Sequence, residues 1–379
     1  ASKESVELGG LWMRKDICDE LGLTEKYGLE SNKDTYDGHA RPWSEAAEIF
    51  QAVKDAHPEM IPLYMGNSDQ TARFYFVDQL LDRFGVLDWQ ADHDSTTIVN
   101  EFETDTFKNL CKMLADWYDK GYIFKDAATD QQGSATMIKA GNTFSYATAI
   151  KPGFLAEANA TNGQEGYALY FGDYVEGGIS SGNVAFFGLG IADSCEDKEM
   201  AFKFLRALYT DPVVMNFWQF GIEGQDYKML DDGTAYFADG VDNSNFKYFQ
   251  NTGWAAGNQF IGYVWNDGSK TADYWELLKS HNTWSYYSPA FGFMWDSSAY
   301  ATQITALNSA LETYRAALLT GSVGSANVDS TIEQLNNALY ASGLQTVIDA
   351  KQAQLDAWLA TNGPTQTPQE DLDLINSVK

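Results

Sequence analysis

The sequence predicts an α/β protein rich in helix. Two observations carry that prediction. Short apolar runs alternate with amphipathic stretches over the first 172 residues, the pattern of strands joined by helices. Beyond residue 298 the apolar positions recur at helical spacing almost to the end. A chain of 379 residues can also hold two domains with cores of their own.

The elements follow in order. LGGLWM (8–13) reads as a strand, and 15–21 as a helix ended by Gly22. Ser44 is the expected N-cap of the next helix. Its Ala46, Ile49, Phe50 and Val53 recur at helical spacing until Pro58 stops it. MIPLYMG (60–66) predicts a buried strand running into a loop. Phe74, Val77, Leu81 and Phe84 predict a helix with Gly85 just past its end. Phe107, Leu110, Cys111, Leu114 and Tyr118 predict another, closed by Gly121. A short helix near Met137 leads to strands at 142–150 and 166–172. The Gly/Ser-rich stretch 173–183 predicts a turn or a crossing between domains. VAFFGLGIA (184–192) reads as a strongly apolar strand. Ser194 and Asp197 have capping-box spacing, ahead of a helix whose core stripe is Ala201, Phe204, Leu205 and Leu208. Asp211 and Pro212 open a further helix, ended by Gly221. Helices are expected over 298–319, 329–341 and 345–360. The polar tail from Thr361 is expected to fray.

Charge excludes several partners. Asp and Glu number 53 against 25 Lys and Arg, a net charge of −28. Such a surface repels phosphate backbones and anionic lipid, so nucleic acid is excluded as a partner. There is no apolar run of 18 residues to span a bilayer. The opening ASKESVELGG has no signal-peptide pattern and reads as internal or processed. Cys18, Cys111 and Cys195 are isolated, without a C-x-x-C pair, and read as structural thiols.

Reaction machinery is not visible. GISSG (178–182) matches G-x-S-x-G with Ser180 as nucleophile, but that motif needs a helix behind it, and the following residues read as a strand. The strand reading argues against a nucleophile elbow. Walker A, G-x-G-x-x-G and H-E-x-x-H are absent. NKDTYDG (32–38) misplaces the glycine of a calcium loop and puts Tyr36 at a ligand position. The sequence therefore predicts no cofactor and no metal.

Residues 246–300 supply positive evidence. They hold 16 aromatics in 55 residues, while aromatics are 14% of the whole chain. Trp254, Trp265, Trp275, Trp284 and Trp295 all fall here, yet the net charge of the segment is only −1. A sugar presents apolar C–H faces that stack on aromatic planes and hydroxyls that need amide or carboxylate partners. WAAGNQF (254–260) sets Trp254 beside Asn258 and Gln259. FGFMWDSSAY (291–300) sets Phe291, Phe293, Trp295 and Tyr300 beside Asp296. The competing reading is that these rings fill core, as aromatics usually do.

WMRKDICDELGL (12–23), ADWYDKGYIFKDA (115–127), AIKPG (149–153), GIEGQDY (221–227), WAAGNQF (254–260), SPAFGFMWD (288–296) and VIDAKQAQLDAWLA (347–360) occur in one order over nearly the whole chain. Together they resemble the extracellular solute-binding proteins, family 1, of bacterial ABC importers. The match is to the Gram-positive lipoprotein type with a distinctive C-terminal domain. The resemblance implies a type II periplasmic-binding-protein-like architecture of two α/β lobes that close on a ligand by hinge bending. It implies an oligosaccharide ligand, permease partners and no catalysis. It also implies a cell-surface location through an N-terminal lipid anchor that this sequence does not contain. In the family, WMRKD falls well inside the chain, so the first lobe is expected to be incomplete. The implied division is 1–178 as second lobe and 179–285 as the rest of the first. Cleft-bordering and second-lobe helices would follow over 286–345, and the C-terminal helix and tail over 346–379. Carried over by motif, Trp12, Arg14, Tyr64, Asn67 and Tyr146 are expected at the ligand, with Gly66 in the loop after Leu63. Trp254, Asn258, Gln259, Phe291, Trp295, Asp296 and Tyr300 are expected there too. A peptide-binding protein of the same architecture and a secreted glycoside hydrolase remain as alternatives. The hydrolase would need two carboxylates about 5–10 Å apart.

Overall fold

The computed structural model describes residues 8–29, 40–66, 77–89, 91–172, 177–185, 188–266, 268 and 270–377. The chain divides into two compact units. Val6–Gly182 and Trp284–Lys379 form one, and Asn183–Thr283 the other.

In the first unit the chain runs through β1 (Leu8–Arg14), α1 (Lys15–Glu20), α2 (Leu23–Tyr27), α3 (Trp43–Ala56) and β2 (Ile61–Tyr64). It continues through α4 (Asp105–Asp119), α5 (Ser134–Lys139), β3 (Thr143–Ile150), α6 (Phe154–Asn162), β4 (Gly166–Tyr170) and β5 (Gly177–Ile179). The unit boundary falls within α7 (Ser181–Ala185). The second unit holds α8 (Lys198–Thr210), α9 (Pro212–Phe220), β6 (Tyr227–Met229), β7 (Ala235–Phe237) and α10 (Tyr274–His281). The chain then returns to the first unit with β8 (Ser285–Tyr287), α11 (Ala301–Leu319), α12 (Val328–Ala341), α13 (Leu344–Asn362) and α14 (Gln369–Asn376).

The first unit is built on a sheet of order β2-β3-β1-β4, with β1 antiparallel to both neighbours and β2 parallel to β3. The period-2 alternation of strand side chains sends Leu11, Met13, Leu63, Ala147 and Leu169 to one face. There they pack with Ile49 and Phe50 of α3, Leu114 of α4 and Leu335 and Val347 of α12 and α13. Trp12, Tyr64, Tyr146, Ala168 and Tyr170 line the other face with Ile138 of α5 and Ala158 of α6. Helices therefore cover both faces, which explains why the strands read as nearly continuous apolar runs.

The second unit has an aromatic core. Trp265 lies 4.4 Å from Phe249, 4.8 Å from Phe237 and 5.1 Å from Phe220, ring centre to ring centre. Much of the aromatic segment is accordingly core filling. Trp275 packs edge-on against Phe260 and donates its indole N–H to the Gly262 carbonyl at 2.8 Å.

Several expectations are corrected. Helix α3 begins at Trp43 rather than after a Ser44 cap, because Trp43 is buried and stacked on Phe171 at 5.6 Å. Residues 77–85, the described part of the helix expected around Phe74–Phe84, form turns instead. Asp78 and Asp82 each accept the backbone N–H two residues on, from Leu80 and Phe84, both at 2.9 Å. Leu80 and Leu81 have φ of 49° and 78°, outside any right-handed helix. The expected strand at 184–192 is also absent from its described residues: α7 takes the start, and 188–192 is irregular with Leu189 exposed. A run of strand formers becomes a strand only where another strand bonds to it, and no described strand does. Asp197, not Ser194, caps α8, accepting from Met200 N at 2.8 Å. On α8 only Leu208 of the expected stripe is buried, and Phe204 is 45% exposed. The helix opened by Asp211 and Pro212 forms as expected, with Asp211 accepting from Val213 N at 2.9 Å.

The tail does not fray. Residues 369–376 form α14, whose Ile375 is fully buried. Asp371 on the same helix is buried as well, and desolvation, helped by neighbouring Glu370, pushes its carboxyl up to about 6. Burial here outweighs the field of the helix N-terminus, which favours an ionised acid. The folded state thus binds the Asp371 proton more tightly than the unfolded chain does. Stability from this group is greatest below about pH 4 and is lost as pH rises through about 6. Thermal unfolding of the protein and of Asp371→Asn should show the variant gaining relative stability from pH 4.5 to 7. A constant difference across that range would remove Asp371 as the cause.

Candidate functional site

The loop that carries Trp254 is laced onto the ends of α8 and α9. The Gln219 carbonyl accepts from Gln250 N at 2.8 Å, and its Oε1 accepts from Gly253 N at 3.2 Å. Asn258 N donates to the Leu208 carbonyl at 3.1 Å, and Asn216 Oδ1 accepts from Tyr263 N at 2.7 Å. These bonds hold the backbone while the Trp254 ring stands 46% exposed. A ring exposed to this degree is free of the core and can stack against a ligand. Asn258 is half-buried and uses its Oδ1 to accept from Phe260 N at 3.1 Å. Gln259 is buried.

In the first unit, residues 284–300 follow directly on the return of the chain. Trp284, Tyr287 and Phe291 are half-buried and pack at the margin of the aromatic face that contains Tyr64. Tyr287 and Phe291 meet edge-on at 5.5 Å. Trp284 and Tyr287 were not singled out from the sequence as ligand contacts; the only signal for them was the density of rings in 246–300.

Several residues expected at the ligand are engaged in contacts within the first unit. Trp12 is fully buried, stacked on Tyr146 at 5.5 Å, with its indole N–H donated to Asn159 Oδ1 at 2.9 Å. Its ring lies directly on Gly166, where any Cβ would collide with it at 2.2 Å. Tyr146 is buried too, its hydroxyl accepting from Asn162 Nδ2 at 3.1 Å, and burial raises its phenol above the usual range. Tyr64 is buried, stacked on Phe124 and donating to Asp130 Oδ2 at 2.9 Å. Arg14 forms a two-pronged pair with Asp16 and donates to the Gly141 carbonyl at 2.7 Å. Asn67 lies outside the described residues.

The SPAFGFMWD motif packs on α13. Phe293 meets Trp358 edge-on, and Asp296 exchanges two backbone bonds with the Gln354 side chain, both at 3.0 Å. Trp295 is buried, stacked on Tyr300 at 5.6 Å, with the Lys351 ammonium 5.7 Å from its ring. The Asp296 carboxyl is held below the usual range by Ser298 as it shapes the turn into α11.

The GISSG motif also changes its reading. A strand, β5, precedes Ser180 and a helix, α7, follows it, so the strand-and-helix context of the motif is present. Ser180 is buried, and Ser181 Oγ donates to the Ala290 carbonyl at 3.4 Å and accepts from Gly292 N at 2.8 Å. Ser181 is thus a fastening for 290–292. Of the carboxylates raised in pKa, Asp78 is wholly buried and bonded to Ser288 Oγ at 2.6 Å, beyond reach of any substrate. Cys18, Cys111 and Cys195 are free, and burial pushes the Cys18 thiol up to about 12. No helix of the described residues is long and apolar enough to cross a membrane.

Comparison with known proteins places this geometry. Residues 289–360 match a domain of unknown function, DUF3502. A carbohydrate ABC transporter substrate-binding protein of Streptococcus pneumoniae serotype 4 is 23% identical over 345 residues, 89% of this chain. The chain spans 65% of the length of that relative. The N-glycan transport solute binding protein NgtS of Streptococcus pneumoniae superposes with a TM-score of 0.71 at 20% identity, over 95% of this chain and 74% of the other. The alginate-binding protein AlgQ2 superposes with a TM-score of 0.56 at 16% identity, over 93% and 72%. The chain is similar in sequence to a substrate-binding protein of a carbohydrate ABC transporter and shares the type II periplasmic-binding-protein-like fold of these solved solute-binding proteins, with a DUF3502 match over residues 289–360.

Proposed function

We propose that the protein binds an oligosaccharide outside the cell, without catalysis, and delivers it to the permease of an ABC importer. The observation that carries this reading is Trp254, an exposed indole on a loop whose backbone is bonded to α8 and α9. Within the first unit, Phe291 with Trp284 and Tyr287 forms a separate group of half-buried rings that suits sugar stacking. Asn258, four residues on from Trp254, is read as its polar partner at the sugar. The names of the relatives support a glycan. NgtS has been crystallised with Man1GlcNAc and Man5GlcNAc, and the binding protein FusA with kestose. A cell-surface location through a lipid anchor belongs to the same reading.

The test is titration calorimetry against a panel of neutral N-glycan, fructan and milk oligosaccharides, with peptides as the comparison. Heat from at least one glycan and none from peptides is expected. Heat from peptides alone would overturn the reading.

A further inference from the structure

The polar tail beyond the DUF3502 match makes specific bonds to the segment that carries Tyr287 and Phe291. Tyr287 N donates to Thr367 Oγ at 2.9 Å. Thr365 N donates to the Pro289 carbonyl at 3.0 Å, and Thr365 Oγ donates to the Phe291 carbonyl at 3.0 Å. Beyond these contacts α14 packs against β8 and buries Ile375. The opposite edge of the same segment is held by other elements. Strand β8 pairs in parallel with β5, and Ser288 N donates to the Ile179 carbonyl at 2.9 Å. Trp89 lies against Gly178 of β5 so closely that a Cβ there would sit 1.6 Å from its ring, and His93 stacks on Tyr286 at 3.9 Å.

The two sides differ in kind. The β5 side is short, buried and cross-braced. The tail side is a single polar stretch of chain, joined through Gly363 to the end of α13 and anchored by a helix of two turns. Local opening of such a piece would leave the sheet and the helices behind it in place. From this geometry we propose that residues 365–376 act as a releasable strap that sets the position of Tyr287 and Phe291. Its consequence for ligand binding rests on the assignment of Phe291 to the glycan site. With the strap on, the Tyr287 backbone is held from both edges, and the two rings keep their edge-on contact. With the strap off, the segment is held from the β5 edge alone, and the rings lose their fixed approach to a ligand.

Hydrogen exchange on the full chain tests the strap without any ligand. Thr367→Val removes the acceptor for Tyr287 N and keeps the shape of the side chain. The Tyr287 amide should exchange about ten-fold faster in this variant, the loss of one protecting hydrogen bond. The Ser288 amide, bonded to Ile179, is the internal reference and should stay within about two-fold. Unchanged Tyr287 protection, or equal acceleration of Tyr287 and Ser288, would overturn the strap. Where the intact chain gives heat with a glycan, Thr367→Val should weaken that binding. Faster exchange with unaltered affinity would overturn the positioning role. If no glycan binds the intact chain, the oligosaccharide reading fails while the exchange result still decides the strap.

Discussion

Replacing Lys351 by alanine is expected to destabilise the protein by about 3–5 kcal/mol, the usual cost of breaking a buried ion pair by removing one partner. Lys351 lies on α13 and is wholly buried. Its three ammonium hydrogens have three acceptors: Asp82 Oδ1 at 2.7 Å, the Asp82 carbonyl at 3.2 Å and the Gly85 carbonyl at 3.0 Å. Burial pulls the amine below the usual lysine range, and the charge of Asp82 opposes that pull. Without the ammonium, the two carbonyls lose their donor, and the turn at 77–85 loses the group around which it is wound. Denaturant midpoints measure the effect. Lys351→Met with Asp82→Asn should cost clearly less than the sum of the single changes, because the charges leave together. An unchanged midpoint for Lys351→Ala would show that the pair contributes nothing.

Replacing Trp254 by alanine should lower glycan affinity by at least about 30-fold, the scale of an aromatic hot spot. The ring is 46% exposed, so its removal opens no core cavity, and the stability cost should stay below about 1 kcal/mol. Trp275→Ala is the contrasting variant. That ring packs on Phe260 and gives its N–H to Gly262, so its loss should reduce stability rather than contact a ligand. Calorimetry of both variants with the best glycan of the panel separates the cases. Unaltered affinity in Trp254→Ala removes that ring from the site.

The fate of the aromatic segment shows where sequence reading stops. Composition identified 246–300 as unusual but could not sort its rings. Trp265 became the centre of a core, Trp275 a brace and Trp295 a cover for Lys351, while Trp254 stayed exposed. These four tryptophans share one chemistry, and burial depends on what the rest of the chain brings to each. Trp12 fell to the same limit. Its motif pointed to the ligand, but Asn159 of α6 takes its N–H and Gly166 leaves space for its ring.

What the sequence determined by itself was local and periodic. The strands at 8–14, 61–64, 143–150 and 166–170, the three long C-terminal helices and the Asp211–Pro212 helix start were all legible, because alternation and capping act within a few residues. The motif order was legible too, and it pointed to the fold that the comparisons bear out. Only the tertiary structure decided the rest. Helical spacing at Phe74–Phe84 gave way in its described part to turns, because an ammonium about 270 residues away offered the carbonyls of Asp82 and Gly85 a better partner. A frayed tail became α14 because Thr365 and Thr367 met unpaired backbone groups near Tyr287. Such partners are distant in sequence and adjacent only in the folded chain, so no window of residues contains both halves of the interaction.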